Sequence, residues 1–142
     1  MTMVDTIRHG VEAERMARKH IFCVNGEPAF LELLRELFQQ ANYNVTTTNF
    51  VPRTFEQVEA LQPDLIVIDL VIGEVAGFDL LEQLTFHATT RNIPVIAVST
   101  MEHLLEHARS NSDRYGENQY QVKPFDINEL LRTVDEMISA RH

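Results

Sequence analysis

The sequence predicts an α/β domain, a doubly wound five-stranded parallel sheet of order 2-1-3-4-5 with helices on both faces. Three observations carry this. Five short, mostly apolar runs alternate with helical patterns from residue 20 onward, the signature of a parallel sheet with crossover helices. Right-handed crossovers leave few topologies, and the short polar run at residues 45–48 belongs at a sheet edge. Four runs end on a polar group: Asn25-Gly26 after residues 21–24, Asp69 after 65–68, Ser99 after 95–98 and Lys123 after 120–122.

Each element has a local reason. Ile21, Phe22, Cys23 and Val24 form strand one. Pro28 suits the first helical position, where its missing N–H costs nothing. Phe30, Leu33, Leu34, Leu37, Phe38 and Ala41 then mark one helix face. Asn42-Tyr43-Asn44 turns into the polar strand two. Thr54 and Gln57 read as a capping box for helix two, with Phe55, Val58 and Leu61 buried and Pro63-Asp64 as the stop. Residues 65–68 are the central strand, and Gly73 and Gly77 lie in the loop after it. Phe78, Leu81 and Leu84 begin helix three, and Pro94 leads strand four. Residues 101–110 form a shorter, more polar helix before strand five at 120–122. Asp126 and Glu129 read as a second capping box, and Ile127, Leu130, Leu131, Val134 and Ile138 mark the last helix. Residues 1–19 read as an N-terminal helical extension, with a weak stripe at Val4, Ile7, Val11 and Met16, and 20–142 as the domain.

Bulk properties narrow the function. A length of 142 residues suits one core. A net charge of −9 with no Lys/Arg run argues against a nucleic-acid surface. The single cysteine, Cys23, lies in an apolar strand and reads as a buried, inert thiol. No stretch approaches the roughly 18 apolar residues of a membrane span, and the N-terminus has no apolar signal core, so the cytoplasm is the expected compartment. No segment after the last helix is long enough for an output domain. The chain is therefore expected to be a stand-alone module or a piece of a longer protein.

In a parallel α/β sheet ligands bind outside the carboxyl ends of the strands, at the switch point. With order 2-1-3-4-5 that point lies between strands one and three, so Asn25-Gly26 adjoins Asp69. A carboxylate ending a buried apolar run has no packing role. Together with a hydroxyl and an ammonium it reads as a reactive or anion-handling site.

These residues resemble the receiver domain of two-component response regulators, a flavodoxin-like fold, from about His20 to the C-terminus. The strongest signature is Val122-Lys123-Pro124-Phe125; Pro63 to Leu70, Gly77-Phe78-Asp79-Leu80-Leu81, Ile93-Pro94-Val95-Ile96-Ala97 and Glu27-Pro28 agree with it. The resemblance implies that Asp69 is the phosphoacceptor, that the Ser99 hydroxyl follows the phosphoryl group, that Lys123 pairs with it, and that Tyr120 is an aromatic switch. It implies a sensor histidine kinase or another signalling protein as partner, with output through residues 101–115, Tyr120 and the last helix; a homodimer stays open. Two acidic residues that hold Mg²⁺ in the family are here Asn25 and Gly26, followed by Glu27, and the usual proline after the phosphoacceptor is Gly73.

Moving a phosphoryl group onto a carboxylate brings anions together, so catalysis is mostly positioning and charge neutralisation. Mg²⁺ is held by carboxylates, waters and phosphate oxygens. Asp69 is one such carboxylate, Asn25 adds no charge and Gly26 has no side chain, so Mg²⁺ binding should be weak. Lys123 is then free to pair directly with Asp69. The favoured expectation is a non-enzymatic, atypical pseudo-receiver acting by protein–protein interaction. The alternative is a phosphorylatable switch using Asp69. A third class, a flavodoxin-like FMN or nucleotide binder, lacks a glycine-rich phosphate loop after strand one. A dehalogenase-type phosphatase would want an aspartate where Val71 stands. His103 and His107 have metal-capable spacing on one helix but no third ligand.

Overall fold

The computed structural model describes residues 2–4, 10, 17–50, 52–71 and 73–140. Strands β1 (His20–Val24), β2 (Asn44–Thr48), β3 (Leu65–Asp69), β4 (Val95–Ser99) and β5 (Gln119–Val122) form one parallel sheet of order β2-β1-β3-β4-β5, as the sequence predicts. The helices between and after them are α1 (Pro28–Gln40), α2 (Thr54–Leu61), α3 (Ala76–Phe86), α4 (Glu102–Ser110), α5 (Ser112–Tyr115) and α6 (Ile127–Ala140).

Alternate strand residues serve opposite layers, because side chains on a strand alternate faces. Cys23, Val67 and Val98 meet Leu34 and Phe38 of α1 and Leu130 and Val134 of α6. Phe22, Ile66 and Ala97 meet Val58 of α2, Leu81 of α3 and Leu105 of α4. Covering both faces is what makes β1, β3 and β4 continuous apolar runs. Each fully buried large side chain is worth about 1.5–3 kcal/mol, so these two layers hold the helices in place.

Several expectations need correction. Leu33 is 48% exposed, while Leu31 joins Leu34 and Phe38 in the buried stripe of α1. Leu61 is 44% exposed, because it is the last residue of α2 and Gln62 turns the chain away at φ 47°. Thr54 does not cap α2: Arg53 holds that position without a side-chain cap, and Thr54 is buried with its hydroxyl donating to the Asn49 carbonyl at 3.4 Å. The second cap is present, with Asp126 Oδ1 accepting the N–H groups of Asn128 (2.8 Å) and Glu129 (3.2 Å). Ile127 of α6 is exposed. The helix expected over residues 101–110 is present as α4, and the single turn α5 that follows it after Asn111, which carries Tyr115 into the core, is an addition to the expected elements. Val4 is exposed; Ile7, Val11 and Met16 of the expected N-terminal stripe lie outside the described residues.

Candidate functional site

The strand register assembles the site. Val24 pairs with Ile68, so the residues after β1 adjoin Asp69 at the end of β3. Asp69 is level with Val98, and Ser99 is level with Val122. The next residue, Lys123, anchors its backbone N–H on the Ser99 carbonyl at 2.8 Å.

Asp69, Ser99 and Lys123 come together as the sequence predicts, but each is already engaged. Lys123 Nζ lies 2.9 Å from Asp69 Oδ1, with the two side chains 13% and 8% exposed. An ion pair this sheltered is screened far less than a surface pair. The fully buried Ser99 hydroxyl donates to the Leu70 carbonyl at 2.6 Å and accepts the Met101 N–H at 3.0 Å. It is tied to the loop backbone rather than to Asp69.

The β1 side is different. Asn25 is buried, and its Oδ1 accepts the Glu27 N–H at 2.7 Å, an Asx turn that leads into α1. Its Nδ2 is buried with no hydrogen-bond partner among the described residues. Gly26 is exposed with open space where a Cβ would stand. Glu27 is exposed on the wall of a cleft of about 290 Å³ that also reaches Asp69, Glu74, Thr100 and Lys123. Glu74 and Thr100 were not singled out from sequence; their positions within five residues of Asp69 and next to Ser99 are the only signal for them.

The other side of the floor depends on Gly77. A Cβ there would sit 2.8 Å from the Asp69 carbonyl oxygen and 2.8 Å from Leu70 Cδ2, so only glycine lets the start of α3 approach the end of β3 this closely. Gly73 adopts φ 79° in the intervening loop, a left-handed conformation that suits glycine.

Tyr120 is half-buried. The Arg109 guanidinium of α4 lies 4.8 Å from its ring centroid, and its hydroxyl is 3.4 Å from Asn118 Nδ2. Burial raises its phenol above the usual range. Tyr115 faces the core, so the expected output surface at residues 101–115 excludes it. The His107 ring lies 5.6 Å from Phe78 and 5.9 Å from Tyr115, an aromatic packing position. Burial pushes the Cys23 thiol up to about 12, which removes the thiolate needed for reactivity.

The fit of Mg²⁺ can be judged from donors. Asn25 Oδ1 is committed to Glu27, Asn25 Nδ2 is itself a donor, Gly26 offers no side chain, and Lys123 occupies Asp69 Oδ1. Among the described residues no group of three or more His, Cys, Asp and Glu side chains is arranged to hold a metal ion. The two residues after β1 therefore supply no carboxylate for Mg²⁺; besides the Lys123-paired Asp69, the carboxylates on the cleft are those of Glu27 and Glu74.

Known proteins supply the family. The response regulator receiver domain matches residues 21–135. The DNA-binding dual master transcriptional regulator RpaA of Synechocystis sp. is 28% identical over 114 residues, covering 80% of this chain and 46% of that protein. Protein PilH of Pseudomonas aeruginosa is 35% identical over 79 residues, covering 56% of this chain and 64% of PilH. The chain thus spans about half to two thirds of these two relatives. The receiver domain of a sensor histidine kinase from Pseudomonas aeruginosa PAO1, solved with a magnesium ion coordinated in its active site cleft, superposes with a TM-score of 0.72 at 23% identity, covering 87% of this chain and 99% of that one. This chain belongs to the response regulator receiver domain family of two-component signalling.

Proposed function

We propose that this receiver is a pseudo-receiver, a cytoplasmic module that signals through protein–protein contacts in one fixed conformation, with residues 1–19 as an extension to the domain. Receiver domains are signalling modules that interact with histidine kinases and other signalling proteins. The observation that carries the proposal is the Asp69–Lys123 pair at 2.9 Å beside an Asn25 whose oxygen is already taken. An ammonium on the carboxylate supplies internally the positive charge that a bound cation or a phosphoryl-paired lysine would otherwise involve. The Ser99 hydroxyl donates to the Leu70 carbonyl and so is not aimed at Asp69.

Mg²⁺ titration followed by backbone amide shifts tests this. The expected result is no saturable movement of Asp69, Leu70 or Lys123 at low-millimolar Mg²⁺, with weak non-specific shifts only. Saturation with shifts centred on Asp69 would overturn it.

The second reading is a phosphorylatable switch with Asp69 as phosphoacceptor, Ser99 and Lys123 as its helpers, Tyr120 as the reporter and a sensor kinase as donor. Asp69 lies on the wall of the open cleft, and that favours this reading.

A further inference from the structure

The chain holds only two lysines, Lys19 and Lys123, and Lys123 is gripped from two sides. On one side is Asp69 Oδ1 at 2.9 Å. On the other, its Nζ lies 4.1 Å from the centroid of the Phe30 ring. Phe30 is the third residue of α1, which opens with Pro28 in its first turn. Phe125, two residues beyond Lys123, meets the same ring edge-on, with centroids 6.1 Å apart and planes at 72°. Both phenylalanines pack against the core layer between the sheet and α1 and α6.

An aromatic face is the negative part of the ring, so an ammonium over it is attracted, more strongly when shielded from water. Lysine is a flexible four-carbon stem carrying a strongly hydrated point charge. An ion pair alone would leave that stem free to swing toward any anion entering the cleft. A ring at 4.1 Å restricts the swing and replaces part of the lost hydration.

We infer that Phe30 is a positioning residue for Lys123: the ring and Asp69 together form a latch that holds the ammonium on the carboxylate and keeps it from reaching into the cleft. The inference deepens the pseudo-receiver reading and rests on it for its functional meaning. The Phe30–Phe125 contact fixes the ring, so the latch joins the start of α1 to the segment after β5.

The test uses the whole chain with the variants Phe30→Leu, which keeps an apolar side chain and removes the π face, and Phe30→Trp, which keeps one. Trace labelling with acetic anhydride is quantified at each lysine by peptide mass spectrometry, with Lys19 as the internal reference. A latch predicts that Phe30→Leu raises Lys123 labelling relative to Lys19 by about fivefold and that Phe30→Trp stays near wild type. Thermal unfolding checks that both variants are folded. Labelling of Lys123 in folded Phe30→Leu equal to wild type would overturn the latch, and so would equal gains in the Leu and Trp variants, which would point to a volume effect. If Phe30→Leu unfolds, the ring-current shift of the Lys123 ε-methylene in the wild type decides: an upfield position supports the ring contact and a random-coil position overturns it. An Asp69 adduct formed by the wild type with acetyl phosphate would defeat the pseudo-receiver reading while leaving the labelling result to judge the latch separately.

Discussion

The two halves of the cleft have diverged. The half supplied by β3, β4 and β5 keeps a carboxylate, a hydroxyl and an ammonium at consecutive strand ends, held by the sheet register. The half supplied by β1 has the backbone turn but no carboxylate at its first two positions: the Asn25 oxygen accepts the Glu27 N–H, Gly26 has no side chain, and the one carboxylate on this wall is that of Glu27. The lesson is that a turn and a ligand set can separate. An Asx turn built by asparagine leads the chain into α1 without a second carboxylate, and the remaining charges then satisfy each other.

Restoring the β1 half should have the largest effect. Asn25→Asp combined with Gly26→Asp places two carboxylates beside Asp69, and the open space at Gly26 accepts a side chain. Mg²⁺ affinity is expected to rise about a hundredfold, equivalent to about 2.7 kcal/mol. Calorimetric titration checks it; unchanged affinity would mean that something other than ligand charge closes the site. Ser99→Ala attacks the intact half. It removes one donor to the Leu70 carbonyl and leaves the Met101 N–H without its acceptor, so urea unfolding should show a loss of about 1–2 kcal/mol. The same substitution should leave Lys123 labelling unchanged, since Ser99 bonds Leu70 and Met101 rather than the ion pair.

The smallest effect lies at the opposite end of β1. His20 has a lowered pKa, mainly because burial disfavours the imidazolium, with Asp64 opposing. The unfolded chain therefore binds more protons than the folded one as pH drops below histidine's ordinary value of 6.5. Stability from neutral His20 is present above that value and is lost as pH falls toward the lower folded pKa. His20→Gln should flatten the urea midpoint's decline between about pH 7 and pH 5 by a small amount, because the ring is only part-buried.

How legible each half was follows from its physics. Asp69, Ser99 and Lys123 could be read because strand runs are short and a polar residue at their ends is conspicuous. Register then follows from the topology. Leu33 and Leu61 fit the apolar spacing yet are exposed, because spacing fixes a stripe only to within a residue and the crossing of each helix over the sheet decides the rest. Thr54 had the right spacing for a cap, but its hydroxyl is turned to Asn49. The Asn25 turn, the close approach at Gly77 and the ring over Lys123 depend on distances between segments far apart in sequence. Phe30 looked like one more core residue, and only the fold brings Lys123 to its face.

The most direct measurement is intact mass after incubation with acetyl phosphate, with and without Mg²⁺, for the wild type and Asp69→Ala. An Asp69 held in its ion pair with Lys123 predicts no phosphoryl adduct in either protein under either condition while the fold stays intact. An adduct that requires both Asp69 and Mg²⁺ would contradict it and make this domain a working switch.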